Sequence, residues 1–241
     1  MKKYLSLIVL FLCLALPSRI FATHVVGGVL TYAYNGTNTY TITLKLYRDC
    51  GAGTASLNNS YSINIAGLNG ANPTTLTLPR VSLVNLTSPL DPCAIPPNPM
   101  PCVQEGVYTA TVSLPPAIGG YHLWIGVFNR NGSIDNITNP NGTGEGLYAY
   151  IPGTNAAGTN FIPNSDPVFT AFPPLFVCAG KAFTFNHSAT DVDGDVLVYS
   201  LYQPYNGSAP TYSNNIATFP TVSYVGLILN VFTPPKGLPV V

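Results

Sequence analysis

The chain contains very little charge. Asp, Glu, Lys and Arg make up 7% of its 241 residues, against roughly a quarter in ordinary globular proteins. Lys2, Lys3 and Arg19 lie in the leader described below, which leaves six basic and nine acidic residues, a net charge near −3. Such a chain lacks the basic surface that nucleic acids and anionic membranes require. We therefore expect no nucleic-acid partner.

Long apolar runs are also scarce, and the clearest one is at the N-terminus. Met1-Lys2-Lys3 precedes an apolar run over residues 4–16, which ends before Pro17. A basic start, a short apolar core and the small residue Ala22 are typical of a secretory signal, so residues 1–22 are predicted to be a signal peptide. The run is too short to span a bilayer. We expect a secreted or cell-surface protein, associated with the outer membrane but without a membrane span in this chain.

Glu is nearly absent, whereas Tyr, Thr, Val, Pro and Gly are abundant. This composition predicts an all-β fold built from antiparallel β-sandwich domains. Residues 23–172 are expected to form an N-terminal sandwich-like domain with long loops, and Pro173-Pro174 a hinge. Residues 175–241 are expected to begin an Ig-like or cadherin-like unit. Because such a unit needs roughly 100 residues, we expect the chain to be the front end of a longer protein.

Hydrophobic periodicity places the strands. Over residues 39–47, the side chains of Tyr40, Ile42, Leu44 and Leu46 alternate with threonines and a lysine, which is the pattern of a half-buried strand. Further strands are predicted over residues 25–34, 60–65, 76–81, 107–114, 121–128 and 227–232. A strand, an acidic turn and a second strand are predicted around residues 183–201. Residues 129–167, including the glycine-rich 142–146, are predicted to be long loops with one or two short strands.

Cysteine is also sparse. Cys13 leaves with the signal peptide, and Cys50, Cys93, Cys102 and Cys178 remain. An even number in an exported chain predicts two disulfides, for which three pairings exist. A local Cys93–Cys102 bridge across a proline-rich loop, with a long-range Cys50–Cys178 bridge, is the favoured pairing. The alternative of a metal site lacks a paired CxxC motif.

Three of the nine acidic residues lie within one short turn. Asp191, Asp193 and Asp195 repel one another unless something neutralises them, and oxygen ligands around a glycine-containing turn suit Ca²⁺. The turn is not an EF-hand, because Val196 and Tyr202 stand where that motif has Gly and Glu. We therefore predict a calcium turn of a β-domain.

The sequence does not identify all the ligands of this calcium turn. Backbone carbonyls are expected to contribute, and Asn186 and Asp166 are candidates to complete the shell. The alternative is a solvated Asp-Gly turn that holds no ion.

Catalytic motifs are missing from the sequence. It has neither a G-x-S-x-G nor an H-E-x-x-H motif. His24, His122 and His187 are expected to be structural, and nothing places Glu105 and Glu145 together as a glycosidase pair. We predict that the protein is not an enzyme.

Three stretches of the chain carry a resemblance to a known family. They are His24-Val25-Val26-Gly27-Gly28 running on to Leu46-Tyr47-Arg48-Asp49-Cys50, Arg130-Asn131-Gly132-Ser133-Ile134-Asp135-Asn136-Ile137, and Phe183-Thr184-Phe185-Asn186-His187-Ser188-Ala189-Thr190-Asp191-Val192-Asp193-Gly194-Asp195 followed by Leu197-Val198-Tyr199-Ser200-Leu201. Together they resemble the N-terminal region of large exported surface proteins of Bacteroidetes. Those proteins often carry PKD-type or cadherin-like Ig repeats and a type IX secretion sorting domain. Relatives tend to show cysteines at Phe128, Asn129 and Tyr202, so their disulfide pattern cannot be copied whole.

The resemblance implies a function that does not involve catalysis. We expect a non-enzymatic adhesin or structural module, stabilised by calcium and disulfides and linked to surface attachment or gliding motility. Its partner would be an unknown surface ligand, either a glycan or another surface protein. The alternative function is a carbohydrate-binding accessory region of a secreted polysaccharide-degrading enzyme. Fifteen tyrosines and one tryptophan would supply the ring-stacking face that this alternative needs.

Overall fold

The computed structural model describes residues 25–51, 55–87, 98, 100–155, 157–178 and 180–225. Within them the protein is all-β and its sheets are antiparallel, as predicted. The main sheet contains β1 (Val25–Tyr34), β2 (Thr39–Asp49), β3 (Ser60–Ala66), β4 (Thr74–Leu86), β5 (Val103–Ser113), β6 (Tyr121–Val127) and β7 (Glu145–Ile151). Four short strands follow: β8 (Val168–Phe169), β9 (Ala189–Thr190), β10 (Thr211–Ser213) and β11 (Ile216–Thr218). Two 3₁₀ turns occur, at Leu68–Gly70 and Pro140–Gly142. In the part of the chain that is described, no helix has the length and hydropathy needed to cross a membrane.

β4 joins the two halves of the main sheet, whose strand order is β1-β2-β5-β4-β3-β6-β7. Its first half, from Thr74 to Pro79, pairs with β3, and its second half, from Arg80 to Leu86, pairs with β5. A bulge between Arg80 and Ser82 separates the halves. Because a bulge bends a strand and increases its twist, β4 leaves one layer and enters the other. The sheet therefore folds over itself into a nearly closed sandwich.

The hydrophobic core lies between the two layers, and β2 shows how the sequence builds it. Tyr40, Ile42, Leu44 and Leu46 are at most 1% exposed, whereas the residues between them are half-buried on the opposite face. The predicted alternation is confirmed. Burial of each such side chain contributes about 1.5–3 kcal/mol. The largest core side chains from the other strands are Tyr108, Ile63, Ile65, Leu78, Leu123 and Ile151.

The sandwich has a seam between its first and last strands. Seven antiparallel strands leave β1 and β7 running in the same direction, so the antiparallel ladder does not continue across the seam. The two strands pack closely there, since a Cβ atom at Gly28 of β1 would lie 2.9 Å from Leu147 Cδ1 of β7. Unpaired strand edges invite association with other chains, and other segments of this protein cover parts of both edges.

Each edge is covered by hydrogen bonds from a loop. At the start of β1, the Val25 N–H donates to the Asn129 carbonyl over 3.1 Å, and the Asn131 N–H donates to the Val25 carbonyl over 2.9 Å. On β7, the Gly146 N–H donates to the Tyr205 carbonyl over 3.2 Å. The far end of β1 is covered by residues 165–166, which belong to the candidate site described below.

β7 is longer than the short strands expected between residues 129 and 167. It begins at Glu145, inside the glycine-rich stretch that was predicted to be a flexible loop. Leu147 and Ala149 face the core, whereas Tyr148 packs against Phe219 on the opposite face of the sheet. Because both faces are covered, both carry apolar side chains, and the polar–apolar alternation that marks a strand is missing.

The predicted strands on either side of the acidic turn are wrong. Among the described residues, 183–188 and 196–201 join no ladder, and the short β9 pairs with β8 instead. Phe183, Val196 and Leu201 are 53%, 83% and 76% exposed. An alternating pattern shows that a segment can form a strand, but a strand also needs a neighbour to pair with, and the described residues supply none here.

The predicted domain boundary at Pro173-Pro174 stays a prediction. Beyond it, residues 203–222 pack on the outer face of β6 and β7, where Phe219 and Val222 are 6% and 3% exposed. Part of the expected second unit therefore shares its packing with the N-terminal sandwich. The predicted signal peptide and the predicted strand over residues 227–232 lie outside the described residues.

Candidate functional site

The acidic turn is closed by its own backbone. Asp191 Oδ1 accepts the N–H groups of Asp193 and Asp195, over 2.9 and 3.1 Å. Gly194 between them has φ +82°, a left-handed conformation that glycine adopts without strain. Asp191 is half-buried, and Asp193 and Asp195 are exposed. The two N–H groups compensate part of the charge of Asp191, which sequence reasoning did not foresee.

The turn is docked onto the edge of β1 through residues 165–166. The Ser165 N–H donates to Asp193 Oδ2 over 2.6 Å. The Tyr34 N–H of β1 then donates to Ser165 Oγ over 3.1 Å. Asp166 and Tyr32 are joined twice, because the Tyr32 N–H donates to Asp166 Oδ2 over 3.1 Å and the Asp166 N–H donates to the Tyr32 carbonyl over 2.8 Å. The chain thus connects the acidic turn to the sandwich through one short, hydrogen-bonded segment.

This docking brings a fourth carboxylate into the electrostatic field of the turn. The pKa of Asp166 is raised to about 7, mainly by burial; the Tyr32 N–H acts in the opposite direction, and the charge of Asp191 contributes to the rise. Burial also raises the pKa of the Tyr32 phenol, and the charges of Asp166 and Asp193 add to this effect. The site is therefore a region of negative potential in which an ionised Asp166 is costly.

The structure brings together some of the predicted ligands and not others. Asp166, one of the two residues suggested to complete the shell, lies beside the turn. Asn186 does not take part, since its side chain accepts the N–H of Ser188 within its own segment. Asp195 donates its backbone N–H to Asp191, and its side chain is exposed. Within the described ranges, no group of three or more Asp, Glu, His or Cys side chains has a geometry that could hold a metal ion.

The favoured disulfide pairing is wrong. Cys50 is bonded to Cys102, where a Cys50–Cys178 and a Cys93–Cys102 bridge were expected. The Cys50 N–H also donates to the Cys102 carbonyl over 2.8 Å, so the pair extends the β2–β5 ladder, which ends at Asp49 and Val103. The pairing of β2 with β5 brings these two cysteines together, and the spacing of the cysteines in the sequence could not predict it. Cys93 lies outside the described residues.

His122 and His187 both contact neighbouring aromatic rings, and their expected structural role stays a prediction. His122 is 1% exposed; its Nε2 lies 3.0 Å from Asn215 Oδ1 and its Nδ1 lies 2.8 Å from the Tyr148 hydroxyl. Since an amide oxygen only accepts, Nε2 carries the proton and Nδ1 accepts from Tyr148. The ring of His187 lies between those of Phe169 and Phe185, at 4.5 and 5.7 Å. His24 lies outside the described residues.

The two glutamates weighed as a glycosidase pair have separate partners. Glu105 faces Lys45 at 4.0 Å on the outer face of the sheet. Glu145 forms an enclosed ion pair with Arg130. Each is thus engaged by a cation of its own rather than by the other carboxylate.

Arg130 is the residue that sequence reasoning missed. It is 5% exposed, and it donates from Nε to the Gly144 carbonyl and from Nη2 to the Tyr205 carbonyl, each over 2.8 Å. Together with its ion pair to Glu145, it holds three segments of the chain. The only signal in the sequence was the low number of charged residues. In such a chain, an arginine inside a predicted loop is expected to bind a specific partner.

The other two arginines of the exported chain are used in the same way. Arg48 donates to the Ala55 carbonyl over 2.6 Å, and Arg80 donates to the Leu57 carbonyl over 3.0 Å. Both therefore fix the loop before β3 to the sandwich. These arginines satisfy backbone carbonyls of loops and do not form a basic binding surface.

Comparison of the chain with protein-family models, with curated proteins and with solved structures finds no match in any of the three. The function is therefore argued from the chemistry of the site.

Proposed function

We propose that this protein is a non-enzymatic module of the cell surface or the secreted fraction, with an adhesive or structural role in surface attachment or gliding motility. The observation that supports this role is the docking of the acidic turn onto the β1 edge through Ser165 and Asp166. This docking connects the segment beyond the predicted hinge to the sandwich. A stalk that transmits force needs such a connection between its units. The resemblance to exported surface proteins of Bacteroidetes points to the same role.

We further propose that Ca²⁺ stabilises this connection. Asp191 and Asp193 each have one carboxylate oxygen engaged by backbone N–H groups, and the other oxygen has no such bond among those described above. Asp166 lies beside them with its pKa raised to about 7 by burial. A divalent cation bound by these oxygens, by backbone carbonyls and by water would remove the repulsion and fix the turn on the sandwich. Because the described residues hold no preformed group of three such side chains, the ion would have to draw Asp166 towards Asp191 and Asp193, and Asp195 stays a candidate ligand.

Calorimetry with and without millimolar Ca²⁺ tests the cation. A ligand at 100 times its Kd stabilises the folded state by about 2.7 kcal/mol, so the thermal midpoint should rise clearly. Asp193→Ala should abolish this shift. Asp193→Asn is the matched control, because it keeps an acceptor for the Ser165 N–H while losing the charge; it should fold like the parent without Ca²⁺ and fail to respond to it. A parent protein without any shift, or a shift that survives Asp193→Ala, would rule out the proposed centre.

Deletion of the gene tests the role at the cell surface. We expect loss of attachment or of gliding, restored by the parent gene and by a Lys45→Gln variant but not by Asp193→Ala. Unchanged attachment and motility in the deletion strain would argue against the adhesive role while leaving the calcium result intact.

A carbohydrate-binding role is the second candidate. Tyr199 and Tyr202 are 52% and 74% exposed and lie three positions apart. Exposed tyrosine rings supply the flat apolar faces on which sugar rings stack. Binding on a glycan array that disappears with Tyr202→Ala would favour this role over the first.

A further inference from the structure

The outer face of β6 and β7 is covered by residues 203–222, which are called the strap below. Phe219 of the strap packs against Trp124 of β6, with ring centroids 6.4 Å apart, and against Tyr148 of β7 at 5.1 Å. Tyr205 of the strap stacks on Phe219 at 4.6 Å. The strap thus supplies its own aromatic residues to cover the aromatic outer face of this half of the sheet.

The strap is attached to the sandwich at separate points. Tyr205 forms isolated bridges with Gly146 and with Thr221, and the strap's hairpin, β10–β11, has strands of three residues. The strands of the main sheet have seven to thirteen residues each. Apart from the short β3–β6 ladder, they pair along ladders of six or more residue pairs. Stability within a protein is not uniform, and segments with few shared hydrogen bonds open at a lower free energy than the central strands.

Arg130 holds one end of the strap. The Tyr205 carbonyl accepts from Arg130 Nη2 over 2.8 Å and from the Gly146 N–H over 3.2 Å. The guanidinium is a rigid, permanently charged fork, and its other groups are engaged by the Gly144 carbonyl and by Glu145. Its position is therefore set by the sandwich, so that it presents a fixed donor to the strap.

Asn215 holds the strap at the turn of its hairpin, between β10 and β11. Its N–H donates to Asn69 Oδ1 over 2.6 Å, and the Asn69 N–H donates back to Asn215 Oδ1 over 3.1 Å. Asn215 Oδ1 also accepts from His122 Nε2, and its Nδ2 donates to the Gly119 carbonyl over 2.7 Å. Arg130 thus anchors the strap at Tyr205, where the Gly144 N–H also donates to the Asn206 carbonyl over 2.9 Å. His122, Asn69 and Gly119 anchor it at Asn215, and Phe219 packs on the sheet beyond this second anchor.

We infer that the strap opens as one unit before the sandwich unfolds, that Arg130 is the latch that keeps it closed, and that opening exposes the aromatic outer face of β6 and β7. This inference does not depend on the cation proposal, because none of the aspartates of the turn contacts Arg130 or Phe219 in the bonds described above. A pull on the chain beyond residue 225 would act first on residues 223–225, which bond to residues 136–138, and next on the strap.

Two probes test the strap. Amide hydrogen exchange measures its opening residue by residue. Acrylamide quenching of fluorescence reports opening at one position, because Trp124 is the only tryptophan of the chain and packs against Phe219. We expect the described strap amides to exchange at one common rate, about tenfold or more faster than the amides of β2. Equal rates in the strap and in β2 under all denaturant conditions would overturn the inference.

Variants test the latch. Arg130→Gln should accelerate exchange in the strap by about tenfold or more, as for a lost charge-assisted hydrogen bond, and should increase quenching of Trp124. Phe219→Ala weakens the strap from its own side and leaves the residues of the sandwich unchanged. It uncovers Trp124 directly, so for this variant hydrogen exchange is the readout, and it should show the same selective acceleration in the strap if Arg130→Gln does not fold. Lys45→Gln, which removes an exposed partner of Glu105, is the matched control and should change neither readout. Acceleration of all strands by the same factor in both variants would show that strap and sandwich open together, and would overturn the inference.

Discussion

Arg130 and Glu145 form an ion pair that is almost completely enclosed, with 6% and 12% of their side chains exposed. Removing two charges from water is costly, and the Coulomb attraction between them offsets this cost only partly. The pair lies where the start of β7, the loop after β6 and the strap meet. Its protonation state therefore affects the stability of the region in which three segments join.

We predict that this protein loses stability as the pH rises from 5 to 8. Burial raises the pKa of Glu145 from 4.5 to about 7, although Arg130 acts in the opposite direction. When the folded-state pKa exceeds the unfolded one, the contribution to stability is fully present below the unfolded value and is lost as the pH rises through the folded value. For Glu145 the loss is about 3 kcal/mol. Urea unfolding at a series of pH values measures it. Glu145→Gln should reduce the slope, and Asp166, whose pKa is also raised to about 7, should account for the slope that remains. A profile of the same slope in Glu145→Gln would exclude this residue as the cause.

We predict that a non-reducing digest will yield a peptide joining Cys50 to Cys102. Their separation of 52 residues corresponds, on the chain-entropy model, to a stabilisation of about 4 kcal/mol. The double variant Cys50→Ser/Cys102→Ser should lose an amount of this order in urea unfolding. The sequence count then leaves Cys93 and Cys178 for the second disulfide, and the same digest should show them joined. A peptide joining Cys93 to Cys102 would instead restore the pairing favoured from the sequence.

Gly126 of β6 is predicted to be intolerant of a side chain. A Cβ atom there would overlap the backbone of Gly207 in the strap, which is not the end of a flexible side chain and cannot move aside alone. Gly126→Ala should cost about 1–3 kcal/mol, as for other overpacked sites, and should increase quenching of Trp124. Gly27→Ala is the control, since a Cβ atom at Gly27 meets nothing within 4 Å. Similar losses in the two variants would mean that the close approach of the strap is not the cause.

The two faces of β2 are predicted to respond differently to truncation. Leu44 is fully buried, so Leu44→Ala should destabilise the protein by about 2–5 kcal/mol. Thr43, its neighbour on the opposite face, is half-buried, and Thr43→Ala should cost under about 1 kcal/mol. Chemical denaturation of the two variants measures the difference. Comparable losses would contradict the assignment of the core face.

Local patterns recovered the strands that have one wet face. In β2 the alternation of Tyr40, Ile42 and Leu44 with threonines states directly which side chains are buried, because the side-chain period of a strand is two. β1, β3 and β5 were predicted near their observed positions for the same reason. β6 was also predicted near its observed position, although the strap covers its outer face. β7 was not, because Tyr148 and Tyr150 are covered by the strap and replace the polar residues that would have marked its outer face.

The sequence by itself determined the all-β class, the core face of β2 and the presence of a tight acidic turn, because each depends on residues that are neighbours along the chain. The tertiary structure alone decided which cysteines meet, where the turn docks and what Arg130 holds. Asp193 and Ser165 are 28 positions apart, and Arg130 and Tyr205 are 75 positions apart. Contacts at such separations depend on the order in which the strands pair and on how the sheet folds over, and no local periodicity encodes that order.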